Sequence, residues 1–358
     1  KNFKMSVSET VNVKLTDWAN VRTVFSYDDT RVRDHIYYSK DHFNAKSDVG
    51  SVSEMFTNYS TIVSSTTANL NHTFGEKHNV TFLAGFEAEK NKTDFMRSSG
   101  TNLPVSSLQV VQTAGKTEAN AYYWGNSIVS ILSRAEYNYD NKYYFSASYR
   151  RDGSSKLGPD SRWGNFWSVA GSWRINDEEF MKDIDWISNL RLRASYGVNG
   201  TLPSSNNGWR SLASYSYQYG GEPGGALANA ADANLSWETS YTSNFALEFG
   251  FLDDRIKGSV EYFNRDSKDL LQDVPISTIT GFSSILQNIG EINNKGVEIE
   301  LGGDIIRNKD FRWSASINGS HVKSEVTKLY GGQDIIWSDP TGGDARAYFK
   351  YKEGHSTL

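Results

Sequence analysis

The sequence has no cysteine, only six prolines and no long apolar run. Each scarcity excludes something. Without cysteine there is no disulfide framework and no thiolate metal site. No stretch approaches the ~18 apolar residues of a spanning helix, so a helical membrane protein is excluded. The opening residues, KNFKMSV, lack the ordered basic, apolar and cleavage regions of a secretory leader, so no signal peptide is read there. Charge is near balance: 37 Lys+Arg against 42 Asp+Glu give a formal net charge of −5, with no general basic footprint for nucleic acid. With glycine counted in place of tyrosine, the apolar share is about 41%, below the usual ~45–50%. Proline, at about 1.7% against a usual ~5%, leaves room for long regular structure.

What is present is aromatic side chains (18 Phe, 20 Tyr, 10 Trp) and a hydrophobic period of two. Val129, Ile131, Ser133, Ala135, Tyr137 and Tyr139 alternate with Ser130, Leu132, Arg134, Glu136 and Asn138. Tyr143, Phe145, Ala147 and Tyr149 alternate with Tyr144, Ser146, Ser148 and Arg150, and only Asp140, Asn141 and Lys142 separate the two runs, which predicts a hairpin. The same alternation recurs along the chain and predicts about twelve strands of roughly ten to fourteen residues, where a tilted membrane-spanning strand needs ~9–11. Short links fall near residues 16–18, 75–79, 140–142, 252–255 and 307–310, with one at 176–189 long enough for a helical turn. Long links fall at 28–60, 89–126, 151–162, 199–234 and 266–290. Short and long alternate, which in an up-and-down antiparallel sheet gathers all long loops at one end, as in outer-membrane barrels. Pro104, Pro159, Pro203, Pro223, Pro275 and Pro340 all lie in long links or the tail, and none in a predicted strand, where it would remove a ladder donor.

A soluble sandwich also has one apolar and one polar face. Strand length and aromatic placement favour lipid. Val169, Leu192, Leu247, Phe249, Val260 and Ile299 are expected to face lipid, with Tyr139, Tyr143, Tyr149, Trp163, Tyr196, Trp237 and Trp313 in interfacial belts. Arg134, Glu136, Arg191, Arg193, Lys257, Glu261, Glu298, Glu300 and Arg312 fall on the other face and are expected to line a lumen. A sheet in hydrocarbon must close, because each unpaired edge group costs several kcal/mol.

Four strings then carry a family resemblance: SYRRDGSSKLGPDSRWGNFWSVAGSWRI at 148–175, LRLRASYGVNG at 190–200, NLSWETSYTSNFALEFGFL at 234–252 and GFSSILQNIGEINNKGVE at 281–298. In this order they resemble the barrel of SusC/RagA-like TonB-dependent transporters of Bacteroidetes outer membranes, from about residue 120 to 326. Trp167-Ser168 stands where the family usually has Pro-Ser. The plug, a TonB-contacting segment and a terminal aromatic are not seen in residues 1–358. The resemblance implies an all-β fold, a transmembrane antiparallel up-and-down β-barrel. Residues 1–358 would be a partial barrel domain, about twelve strands of a 22-stranded plugged barrel. It implies a multi-pass outer-membrane importer of oligosaccharides or peptides in a Gram-negative bacterium. TonB would energise it through the plug and a SusD-like surface lipoprotein would cap it, with no cofactor. A passive porin-like channel and a surface β-rich carbohydrate-binding module remain the alternatives.

No catalytic constellation appears, and no enzyme is expected: no serine lies in a nucleophile elbow. Glu298 and Glu300, about 7 Å apart by strand rise, read as lumen wall and not as a glycosidase pair. Asp152-Gly153 reads as a structural turn at the barrel rim. Asn293 and Asn294 read as shaping a bulge or turn where a long loop re-enters the barrel. His35 and His42, near Asp34 and Asp41, lack a third ligand at fixed spacing, so no metal site is predicted. Asp177, Glu178 and Glu179 look like a solvated helical first turn. The best ligand candidates are loop aromatics with polar tips: Trp209, Tyr215, Tyr217 and Tyr219 in the 199–234 loop, with Tyr37, Tyr38 and Trp124 in others. Packing of the loops on one another or on a partner is the competing explanation for them.

Overall fold

Why alternation becomes a sheet is visible in the strands themselves. The computed structural model describes residues 1–44, 49–338 and 348–356. The strands are β1 (Asn2–Lys14), β2 (Ala19–Tyr38), β3 (Ser51–Phe74), β4 (His78–Thr101), β5 (Lys116–Tyr139), β6 (Tyr143–Ser154), β7 (Trp163–Arg174), β8 (Ile187–Thr201), β9 (Ala213–Tyr219), β10 (Glu222–Leu227), β11 (Glu238–Phe251), β12 (Ile256–Pro275), β13 (Ser284–Arg307), β14 (Arg312–Lys328), β15 (Ile335–Ser338) and β16 (Tyr348–Tyr351). Twelve of them form one sheet in the order β1-β2-β3-β4-β5-β6-β7-β8-β11-β12-β13-β14, while β9–β10 and β15–β16 are separate two-stranded sheets. The expected strand count and sequential order therefore hold.

Strand length departs from expectation. β3, β4, β5 and β13 each run 24 residues, and β2 and β12 run 20. Much of the predicted long links at 28–60, 89–126 and 266–290 is strand. The reason lies in register. On β12 the outward positions Ile256, Val260 and Tyr262 are apolar, and the next two, Asn264 and Asp266, are polar. Alternation of apolar with polar residues marks only the first stretch, roughly 20 Å at ~3.3 Å per residue. Beyond it the alternation breaks. Residues 264–269 are polar on both faces, Leu270, Leu271 and Val274 then follow no period of two, and the ladder continues through them.

The described residues form two compact units: Lys1–Lys14, Val21–Thr67 and Gly85–Ser130 in one, Leu15–Asn20, Ala68–Ala84 and Ile131–Leu358 in the other. The division cuts through β2 to β5 and not between them. In the first unit, Asp29 is fully buried and meets Arg31 at 2.8 Å, and Thr61 donates to Asn91 at 2.7 Å. The second holds the registered run β6-β7-β8-β11-β12-β13-β14.

Turn chemistry explains the short links. Asp140 and Asn141 have φ 53° and 54°, the left-handed pair that a tight hairpin demands and that Asx side chains tolerate. Lys77 braces Asp140 at 3.0 Å. The link after Arg174 holds two 3-10 turns, Ile175–Asp177 and Glu179–Met181. Among the described residues, Pro223 and Pro275 do fall in strands. Pro275 is the last residue of β12, opposite Ser284 of β13 and beyond the end of the β11 pairing, so its missing N–H costs no ladder bond. Pro223 lies in the two-stranded β9–β10 hairpin.

Candidate functional site

The registered strands of the second unit sort side chains into two faces. Leu192 of β8 opposes Leu247 of β11, which opposes Val260 of β12, which opposes Ile299 of β13, so four of the six residues expected to meet lipid form one row. Phe249 follows on the same face of β11, and Val169 of β7 stands beside Tyr196 on the same face of β8. Leu192, Val260 and Ile299 are 43%, 38% and 50% exposed, a large apolar exposure for a protein surface in water.

One margin of this face, at the short-turn end, is aromatic. Tyr139, Tyr143 and Trp173 stack in series with centroids 6.3 and 6.4 Å apart. Glu178 holds the end of the series: it accepts from the Tyr143 hydroxyl at 2.5 Å and from Trp173 Nε1 at 3.0 Å, with Lys142 at 3.7 Å. These contacts, the Tyr143 hydroxyl first, hold its carboxyl below the usual carboxylate range. Asp177 and Glu179 do lie in first turns, of two short 3-10 helices, and only Glu178 departs from the expected solvated turn: it is a bonded anchor between aromatic residues.

The opposite face is polar. Arg191 lies opposite Glu248, and Ala246 stands between Arg193 and Glu261. Arg193 bridges Glu248 at 2.6 Å and Glu261 at 3.6 Å, and Arg191 reaches Glu248 at 3.9 Å. Arg191 also donates to Ser172 at 2.6 Å and lies over the Tyr144 ring at 5.5 Å. Glu298 opposes Glu261 one strand on, Glu300 shares its face, and among the described residues neither has an ion pair. Arg134 pairs with Glu136. Arg312 donates to Asp304 at 2.8 Å beside Ser314. Glu136, Tyr144, Ser146, Arg191, Arg193 and Glu261 line a concavity of about 860 Å³. Sequence reading missed Glu248, Tyr144, Ser172 and Asp304. Parity could have found Glu248, since it lies between Leu247 and Phe249.

At the long-loop end a small core forms from Leu157, Phe166, Val198, Leu235 and Trp237. Trp237 is 8% exposed, meets Phe166 edge-to-face at 5.1 Å and donates its indole N–H to the Arg162 carbonyl at 3.1 Å. It belongs to this core and not to an exposed belt, because the loop before β11 folds back over Phe166. Tyr143, Tyr149, Trp163, Tyr196 and Trp313 are exposed. The RDGSS segment is also corrected. Asp152 and Gly153 are strand, Gly153 has no positive φ, and a Cβ there would lie 2.8 Å from the Trp163 ring. Glycine is needed for space, while Arg150 pairs with Asp152 at 2.7 Å and Arg151 lies over Trp163 at 5.2 Å. Asn293 and Asn294 sit in regular register opposite Asp266 and Arg265, with the irregularities at Ser267/Leu270 and Glu291/Ile292. Asn293 donates to Asn264 at 2.8 Å and Asp266 at 2.6 Å, so it is a cross-strand clamp.

The loop aromatics are dispersed. Tyr37 and Tyr38 end β2 and Trp124 lies within β5, so none of the three is in a loop. Trp124 stacks on Tyr122, which stacks on Phe95, at 5.2 and 4.6 Å. Trp209 packs against the rim core under Arg210. Tyr215 and Tyr219, on β9, are 74% and 88% exposed, and the Tyr217 side chain lies outside the described residues. His35 pairs with Glu54 at 2.7 Å and His42 stacks on Phe43. Among the described residues no group of three or more His, Cys, Asp or Glu is placed to hold a metal.

Comparison with known proteins agrees with this geometry. The family described as TonB dependent receptor-like, beta-barrel matches residues 7–347. TonB-dependent receptor P39 of Formosa agariphila is 34% identical over 266 residues, 73% of this chain and 25% of that protein. TonB-dependent receptor SusC of Bacteroides thetaiotaomicron is 35% identical over 260 residues, 70% of this chain and 26% of that protein. The chain thus spans about a quarter of the length of the curated relatives it matches. The structure of the RagAB peptide transporter superposes with a TM-score of 0.88 at 26% identity, over 99% of this chain and 39% of that one. The siderophore receptor PiuA from Acinetobacter baumannii, with a TM-score of 0.58 at 14% identity over 99% of this chain and 50% of that one, shares the fold alone. With its all-β antiparallel wall, the chain belongs to the TonB-dependent receptor β-barrel family in its SusC/RagA-like form, outer-membrane receptors and transporters that cross the bilayer with strands.

Proposed function

We propose that this chain is a stretch of the barrel wall of an outer-membrane active importer that takes up oligosaccharides or peptides. Residues 1–358 are one stretch of a single barrel domain whose lumen holds a plug. TonB draws on that plug to admit substrate, and a SusD-like lipoprotein closes the long-loop end. The observation that carries the reading is the pair of opposed faces. The row Leu192–Leu247–Val260–Ile299 meets lipid, with Phe249 and Val169 beside it. The ionic wall Arg191–Glu248–Arg193–Glu261 faces the lumen, with Glu298, Glu300, Arg134, Glu136 and Arg312 on the same water-facing side. A wall of paired charges suits a filled, gated lumen that must release its filling: ion pairs in partial solvent are worth ~0–1 kcal/mol each and exchange partners readily. Likeness to the RagAB peptide transporter supports the peptide class, and kinship to SusC, with the resemblance to SusC-like transporters, supports the oligosaccharide class. The exposed Tyr215 and Tyr219 on β9 offer flat rings with polar tips to the substrate or the lid.

Uptake of fluorescent maltooligosaccharides and of fluorescent oligopeptides, measured in cells with and without the full-length gene, tests this. One class is expected to enter only with the gene present, and entry is expected to stop when TonB is deleted. Uptake that persists without TonB would establish the passive pore instead.

A further inference from the structure

The outward face of β12, β13 and β14 changes character abruptly. Val260 opposes Ile299, which opposes Gly319; Tyr262 opposes Val297, which opposes His321. One step nearer the long loops, Asn264 opposes Lys295, and Lys295 opposes Lys323. The apolar rows therefore end at two lysines standing directly opposite on neighbouring strands. Like charges so placed destabilise a sheet. Lys323 reaches Glu325 at 2.7 Å, while Lys295 has no hydrogen bond or ion pair among the described residues. The row further out holds two carboxylates, Asp266 and Glu325, both opposite Asn293. Asp266 is engaged by Asn264 at 3.2 Å and Asn293 at 2.6 Å, and Glu325 is bonded to Lys323 and only felt at a distance by Lys295, so two lysines share one acidic neighbour. Below the lysines, Gly319 carries no side chain, which leaves a notch between Ile299 opposite it and Ile317 two residues along β14.

We propose that this margin binds a phosphorylated glycolipid of the outer leaflet, with its phosphate between Lys295 and Lys323 and an acyl chain along Val297, Ile299 and Ile317 over the Gly319 notch. The inference rests on the outer-membrane placement of the family and adds a ligand to its surface. Three features select this occupant. The lysines lie at the long-loop margin, which faces the outer leaflet. A phosphate carries enough negative charge to remove the repulsion between them, and lysine binds it as a point charge. Lysines that merely reach for water gain nothing from standing opposite one another.

The test uses the purified full-length protein in detergent and native mass spectrometry, with bisphosphorylated lipid A and the same acylated disaccharide lacking phosphate as probes. The wild-type protein is expected to retain the phosphorylated lipid in preference. Lys295→Gln and Lys323→Gln are each expected to weaken binding about fivefold, the effect of one basic residue at a membrane surface. Lys295→Arg with Lys323→Arg is expected to keep it. Equal retention by wild type and the double glutamine variant overturns the proposal. Should that variant fail to assemble, the wild-type comparison decides alone, and equal binding of the phosphate-free lipid overturns it.

Discussion

Leu247 and Ser146 stand on opposite faces of one sheet, and each face has its own solvent. Leu247 sits mid-row between Leu192 and Val260, whereas Ser146 lines the polar concavity. Arginine at a mid-bilayer outward site costs ~2–4 kcal/mol, and at a lumen site little. Leu247→Arg should therefore lower the denaturant midpoint of the lipid-reconstituted full-length barrel by far more than Ser146→Arg; equal losses would refute the face assignment. Glu178 gives a second prediction. Its carboxyl is held low by Tyr143 and Trp173, so its contribution is present above the ordinary carboxyl pKa and is lost as pH falls through the lowered value. Between neutral pH and about pH 3, the thermal midpoint of the wild type should fall more than that of Glu178→Gln, which has no such titration. Identical slopes would show that the anchor carries no stability. Nothing in the sequence marks Glu178 apart from its acidic neighbours, because its role depends on two aromatic residues brought to it by β6 and β7.

Glycines on neighbouring strands sort by what a Cβ would meet. At Gly200 of β8 it would lie 2.1 Å from the Phe166 ring, and at Gly171 of β7 the nearest atom is the Tyr144 carbonyl at 3.8 Å. Gly200→Ala should cost about 1–3 kcal/mol through overpacking against Phe166, while Gly171→Ala should be neutral or stabilising, because alanine loses less chain entropy in a strand. Urea unfolding of both variants checks this, and a tolerated Gly200→Ala would show that the rim core yields. The strands themselves were legible wherever one face is apolar, which is why the hairpins at Asp140–Lys142 and the order β6-β7-β8 follow from sequence alone. Their outer halves were not, since a polar run such as residues 264–269 followed by Leu270, Leu271 and Val274 carries no period of two. The backbone ladder carries β12 on to Pro275 all the same. Trp237 misled for a related reason: an aromatic near a strand end reads the same whether it enters lipid or folds under a loop.

The sheet has one apolar and one ionic face, and the proposal that the first meets lipid and the second a lumen is directly measurable with introduced cysteines. Residues 1–358 contribute no competing thiol, and in the full-length protein any cysteine elsewhere is first replaced by serine. Ser195 shares the polar face with Arg193 and lines the same concavity, while Leu247 belongs to the apolar row. A hydrophilic maleimide should therefore label Ser195→Cys in membranes and spare Leu247→Cys, which should react only with a lipid-soluble reagent. Trp124 and Tyr38, expected in loops and found in strands, could not be assigned a place from sequence, because long-range pairing decides whether a residue lies in a strand or caps a vestibule. If the polar face lines a lumen as proposed, its labelling also reports on what fills it. If a plug covers the Arg193–Glu248 wall at rest, Ser195→Cys should label slowly in resting cells. It should label severalfold faster when substrate and TonB are both supplied, because withdrawal of the plug admits water to the wall. A rate unchanged by TonB would leave the two faces intact and remove the gated lumen from the mechanism.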